Sequence, residues 1–168
     1  MDDPLPERTG PLAGLKVVEL GQLIAGPFAA KTLADFGAEV VKIEPPATAN
    51  SLGGDPLRQW RLLHDGTSVW WQVQSRNKQS VALDLKDAAA RAIVRALIIE
   101  ADVLVENFKP GVMEAWGFGY EALAAANPGL IMLRISGYGH PVHVYRRASG
   151  DRCGDGGGCG DGAGRHRQ

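Results

Sequence analysis

Three lysines and one amide stand out as groups that could hold an anionic, ring-bearing ligand. Lys78 and Lys86 lie on either side of SVALD, and Asn107-Phe108-Lys109 follows the apolar run DVLVE. An amide, an aromatic ring and an ammonium together supply hydrogen bonding, apolar contact and charge, a set suited to an adenine and a phosphate. Taken singly, each of these residues is more often a capped loop or a solvated lysine. Glu44 ends a second apolar run, where dinucleotide-binding folds keep a ribose-binding acid. Pro45 and Pro46 follow it at once, and a plain strand-end acid fits equally. The loop GQLIAG (21–26) offers Ala25, Gly26 and a helix N-terminus to an anion. It has only the outer glycines of G-x-G-x-x-G, which argues against a nicotinamide or flavin cofactor and leaves turn glycines as the even alternative.

Catalytic groups are scarce. His64 sits on a polar loop and reads as solvated, and His140 and His143 open an anomalous tail. Cys153-x5-Cys159 with His166 fits no standard zinc spacing, so no metal is expected. The Trp70-Trp71 pair reads as core rather than as a ligand platform.

Positioning such groups requires strands and helices in alternation. KVVEL (16–20) reads as a buried parallel strand. A helix follows, with Pro27 at its first position, Phe28, Leu33 and Phe36 as the apolar stripe, Lys31 and Asp35 towards solvent, and Gly37 past its end. AEVVKIE (38–44) is the second strand, stopped by the two prolines. GGDPLRQW looks like a turn, and SVALDLK (80–86) a strand or an extended edge. AAARAIVRALIIEA (88–101) is a helix with Ile93 and Leu97 on its apolar face and Arg91 and Arg95 opposite. DVLVENF (102–108) and LIMLRISGYG (130–139) are further strands, separated by two short helical turns. The expected fold is α/β, an open parallel Rossmann-like sheet with helices on both faces.

At 168 residues there is room for one sizeable core. A net charge of −1 gives no electrostatic reason for a nucleic-acid or anionic-membrane partner. No apolar run approaches the roughly 20 residues of a membrane span. The acidic, Pro-rich start MDDPLPERTG is the opposite of a secretory signal, and a cytoplasmic location is expected. Residues 1–139 carry this patterning, whereas 140–168 contain no Leu, Ile, Phe, Met, Trp, Lys or Glu. Such a Gly/Arg/Asp-rich tail cannot bury enough apolar surface to offset its ordering, and disorder is expected there.

Several stretches then resemble one family, the family III CoA-transferases, which include formyl-CoA, succinyl-CoA and carnitine CoA-transferases and the related α-methylacyl-CoA racemases. They are PLAGLKVVEL, AGPFAAKTLADFGAEVVKIEPP, NKQSVALDLK, ADVLVENFKPG and NPGLIMLRISGYG, in order across roughly residues 11–139. The resemblance implies an N-terminal Rossmann-like domain that binds the nucleotide part of CoA, acyl-CoA and carboxylate substrates, and an interlocked homodimer. CoA-contacting positions would fall on Ile24 and Ala25, on Leu83, Asp84, Leu85 and Lys86, and on Asn107, Phe108 and Lys109. An arginine that some members place after the second strand is Pro45 here, and another is Ala115. The aspartate nucleophile of these transferases, and the His and Asp of the racemases, would lie beyond Gln168. Asp151, Asp155 and Asp161 lack the surroundings of that site, so the chain is expected to be an N-terminal portion without turnover. A transferase is favoured over a racemase because ELGQLIAGP and RNKQSVALDL read closer to the transferases.

The tail invites its own expectation. Shifting the codons for Cys153-Gly-Asp-Gly-Gly by one base permits Ala-Glu-Met-Gly-Gly, the small-residue helix start with which the family continues. A shifted frame from about His140 to an early stop would account for the change in composition. Sequencing the locus checks this: another frame should encode a family-like continuation, and its absence would remove the idea.

Overall fold

In the computed structural model, residues 9–137 and Gly139 are described. In chain order the elements are β1 (Lys16–Glu19), α1 (Ala25–Asp35), β2 (Glu39–Glu44), a 3-10 turn (Pro56–Gln59), β3 (Leu63–His64) and β4 (Thr67–Ser68). There follow α2 (Val69–Gln74), β5 (Lys78–Ala82), α3 (Ala88–Ile99), β6 (Val103–Glu106), α4 (Val112–Ala115), α5 (Tyr120–Ala124) and β7 (Ile131–Arg134). Five strands form one parallel sheet in the order β5-β2-β1-β6-β7, and β3-β4 is a small antiparallel hairpin. The expected α/β architecture is present, with helices against both faces. Of SVALDLK, only residues 80–82 lie in a strand, the edge strand β5 that starts at Lys78, and residues 83–86 form the turn after it.

Alternation along the strands divides the core. Val18, Leu20, Ile43 and Leu104 face α3 and the α4–α5 region, packing with Val94, Ile98, Met113, Phe118 and Leu123. Val17, Val40, Val103 and Val105 face α1 and meet Ala30 and Ala34. The central strands are apolar on both faces because both faces are covered.

The two long helices bury other stripes than the largest side chains suggest. In α1 the buried residues are Gly26, Pro27, Ala30 and Ala34, while Phe28 and Phe36 are 57% and 53% exposed. Small residues at a spacing of four let the helix lie close on the valine face, which Phe28 could not do. The helix also begins two residues before the expected start, so Pro27 is its third residue. That position still needs no intrahelical donor, and the first such bond runs from the Phe28 N–H to the Ile24 carbonyl at 2.7 Å. Gly37 ends α1 as expected, at φ 103° with its N–H on the Ala34 carbonyl. In α3 the buried stripe is Ala90, Val94 and Ile98, and Ile93 is 52% exposed. The tryptophan pair divides: Trp71 is buried under the Arg58 guanidinium, 3.8 Å from the ring centroid, whereas Trp70 is 42% exposed beside Trp60. His64 is exposed in the β3-β4 hairpin.

The close approach of α1 to the sheet makes Ala30→Leu overpacked. The substitution should lower unfolding free energy by about 2 kcal/mol in denaturant titration. Phe28→Ser should change it far less in the same measurement.

Candidate functional site: a cleft at the carboxyl edge of the sheet

Three adjacent strands, β2, β1 and β6, each end in a glutamate, and all three carboxylates are buried. Such groups need partners, because an unpaired buried charge is strongly unfavourable. Glu19 takes Lys42 Nζ at 2.8 Å, its register partner on β2, and Lys78 Nζ at 2.7 Å. Glu44 accepts two bonds from Arg58, both 2.8 Å, together with the Ser80 hydroxyl and the Asp55 N–H. Glu106 is held by Arg134 Nε at 2.8 Å and accepts the Phe108 N–H at 2.7 Å. Burial pushes the Glu44 carboxyl up, but the bonds from Arg58, Ser80 and the Asp55 N–H outweigh it and bring the pKa down to about 2. Burial lowers the Lys78 ammonium, against the opposing pull of Glu19.

These ions shape the loop after β1. Lys42 also reaches Asp55 at 2.9 Å and donates to the Gly21 carbonyl at 2.6 Å. Asp55 accepts the Leu23 N–H at 3.0 and 3.2 Å and the Leu57 N–H at 2.9 Å. Asn107 accepts the Gln22 N–H at 2.7 Å and donates to the Gln22 carbonyl at 2.9 Å. Leu23 is consequently held at φ 61°, a left-handed conformation that a bulky residue seldom adopts. Gly21 and Gly26 pack Cα against Cα beneath the Asn107 amide. A Cβ on Gly21 would come within 2.8 Å of the Gly26 Cα. Both glycines are therefore required by close approach rather than by left-handed backbone.

Beside this loop lies a cleft of about 200 Å³, lined by Leu20, Gln22, Ile43, Glu44, Pro45, residues 83–86, Phe108 and Trp116. Its walls come from the ends of β1, β2, β5 and β6, where the strand order reverses direction on either side of β1. Open α/β sheets bind ligands at such a crevice. Phe108 and Trp116 meet edge to face, with centroids 5.2 Å apart. Arg91 fixes the 83–86 turn by donating to the Leu85 and Lys86 carbonyls, each at 2.9 Å, and Asp84 accepts the Lys86 N–H at 3.0 Å. Lys86 is exposed at the rim.

Of the residues singled out by sequence, Leu83, Asp84, Leu85, Lys86 and Phe108 come together on the cleft. Ile24 and Ala25 lie just past the Gln22 loop, as the N-cap and first residue of α1. Asn107 is adjacent, but both ends of its amide are engaged by Gln22. Lys109 is exposed in the turn before α4. Lys78, read as a ligand for phosphate, is instead buried between Glu19 and the Pro27 carbonyl. Glu44 reaches the cleft with its carboxylate already taken up by Arg58 and Ser80. Pro45 lines the wall as an apolar surface. Gln22 and Trp116 escaped the sequence reading; the recurrence of an aromatic eight residues after Phe108 was the available signal for Trp116. His140, His143, Cys153, Cys159, His166 and the tail lie outside the described residues. Among the described residues, no helix is long and apolar enough to cross a membrane.

The family model for CoA-transferase family III matches residues 12–154. The chain belongs to this family. That match extends past Gly139 into the compositionally different segment. Succinyl-CoA–D-citramalate CoA-transferase of Chloroflexus aurantiacus is 49% identical over 151 residues, covering 89% of this chain and 36% of the relative. Human succinyl-CoA:glutarate CoA-transferase is 39% identical, with 84% and 31% covered. Among solved structures, a CAIB/BAIF family protein from Brucella suis superposes with a TM-score of 0.70 at 40% identity, covering 81% of this chain and 35% of that one. The chain spans about a third of the length of these relatives.

The depressed Glu44 pKa fixes a pH dependence. A carboxylate held at about 2, against an ordinary value of 4.5, stabilises the fold above pH 4.5 and loses that contribution as pH falls towards 2. Thermal melts across this window should show the loss in the unsubstituted chain. Glu44→Gln should be less stable near neutrality and flatter between pH 4.5 and 2.

Proposed function

We propose that this chain is the nucleotide-binding portion of a cytoplasmic CoA-transferase that moves CoA between carboxylic acids, and that the adenine end of CoA seats in the cleft between β2 and β6. The observation that carries this reading is the cleft itself, at the reversal of strand order, with two aromatic rings and leucines for walls and an exposed lysine at the rim. A volume of about 200 Å³ suits a ring system rather than a whole cofactor, since complete ligand pockets run to roughly 300–1,000 Å³. The pantetheine arm and the acyl group would then extend out of the cleft, towards parts of the relatives that this chain does not span.

Family membership and the transferase names of the relatives support transfer between carboxylates over racemisation at the carbon next to the thioester. In this reading acyl-CoA and a free carboxylate are the substrates, and an interlocked homodimer completes the active site. The aspartate nucleophile that the resemblance implies belongs to the two thirds of the relatives outside the match. In this reading residues 1–168 tested by themselves would bind CoA without turnover.

Calorimetric titration with free CoA tests the reading. Saturable binding is expected, and Phe108→Ala should weaken it about tenfold, or about 1.4 kcal/mol. Lys86→Ala should weaken it in a salt-dependent way. An unsubstituted, folded chain with no saturable CoA binding would sink the proposal, and turnover in an acyl-CoA transfer assay would sink the claim that the unit is inactive alone.

A further inference from the structure

Four consecutive backbone polar groups in the loop after β1 are gripped by side chains from elsewhere in the chain. The Gly21 carbonyl is held by Lys42, the Gln22 N–H and carbonyl by Asn107, and the Leu23 N–H by Asp55. Lys42 is in β2, Asp55 precedes the 3-10 turn, and Asn107 follows β6. A loop of this kind ordinarily gives such groups to water. The grip also sustains Leu23 at φ 61°, which costs of order 1–3 kcal/mol unless surroundings enforce it. Strain upheld in this way at the edge of a ligand cleft has a geometric consequence: it sets where the one side chain between the clamped groups, Gln22, projects. Gln22 lines the cleft.

We infer that Asn107 and Asp55, backed by the Lys42 ion pair, are positioning residues that hold Gln22 in its ligand-ready place. This inference rests on the reading of the cleft as a CoA site, and it changes the expected role of Asn107. Its amide has both ends engaged, the carbonyl by the Gln22 N–H and the NH2 by the Gln22 carbonyl. It acts on the ligand through Gln22 rather than by touching it. Asp55 divides its carboxylate between Lys42 and the Leu23 and Leu57 amides, so it clamps the far side of the same peptide pair. The loop is thereby set before a ligand arrives, and ordering it adds nothing to the cost of binding.

Two measurements on the whole chain test the clamp. Amide hydrogen exchange should show Gln22 and Leu23 protected without ligand. Asn107→Ala should speed exchange at Gln22, and the near-isosteric Asp55→Asn at Leu23, by about tenfold each. Calorimetry with CoA on Gln22→Ala, Asn107→Ala and the double variant supplies a thermodynamic cycle. The Asn107→Ala loss, about tenfold with Gln22 present, should shrink to within about twofold when Gln22 is already alanine. Additive losses would show that Asn107 contacts the ligand itself and would overturn the inference, as would unchanged exchange at both amides. If the unsubstituted chain binds no CoA, the reading of the cleft fails on its own, and the exchange rates alone decide the clamp.

Discussion

The Lys42 ammonium is the interaction on which the carboxyl edge of this sheet depends. It is 1% exposed and sits among Glu19, Asp55 and the Gly21 carbonyl. With Lys78 on the other side of Glu19, the chain of four groups carries two positive and two negative charges and is neutral as a whole. Neutrality and mutual pairing are what allow it to be buried. Removing one partner would leave an uncompensated charge, typically at a cost of about 3–5 kcal/mol. Ion pairs of this kind add less to net stability than their number suggests, because each ion must first be stripped of water. Their effect here is geometric. They tie β1, β2, β5 and the segment at residue 55 into one frame around a loop with no secondary structure of its own.

Packing on the two faces of the sheet meets the same need by different means. On the α1 face, Ala30, Ala34 and Gly26 bring the helix close enough for Lys78 to reach the Pro27 carbonyl. On the other face, larger side chains fill a deeper layer from Leu20 through Ile98 to Phe118. Phe108 and Trp116 pack against that layer and also line the cleft, so its wall is an extension of the core.

How much of this was legible beforehand depended on range. The strands Lys16–Glu19, Glu39–Glu44 and Val103–Glu106 announce themselves as short β-branched runs, and Gly37 as a helix end, because these signals are local. On α1, Leu33 packs half-buried against the valine face as expected, but Phe28 and Phe36 do not, since side-chain size pointed to them whereas close approach to valines selects alanine. Ile93 failed for the same reason: its place on α3 is set by a rotation that only the sheet defines. Leu83 to Lys86 and Phe108, marked by the family resemblance, converge on the cleft. Lys78, by contrast, looked like a ligand for phosphate because nothing nearby in sequence reveals Glu19, 59 positions earlier.

The sequence alone determined the parallel α/β sheet, the strand ends that border the cleft, and membership of a CoA-transferase family. Hydrophobic period, turn residues and matching stretches are properties of neighbours along the chain. Tertiary structure decided which charges are spent and which remain free. Of the candidates for gripping a ligand, Glu44, Lys78 and Asn107 turn out to hold protein, and Lys86 and Phe108 are left facing the cleft. The difference arises because a buried ion or amide is defined by partners tens of residues away, brought together only when the strands stand side by side.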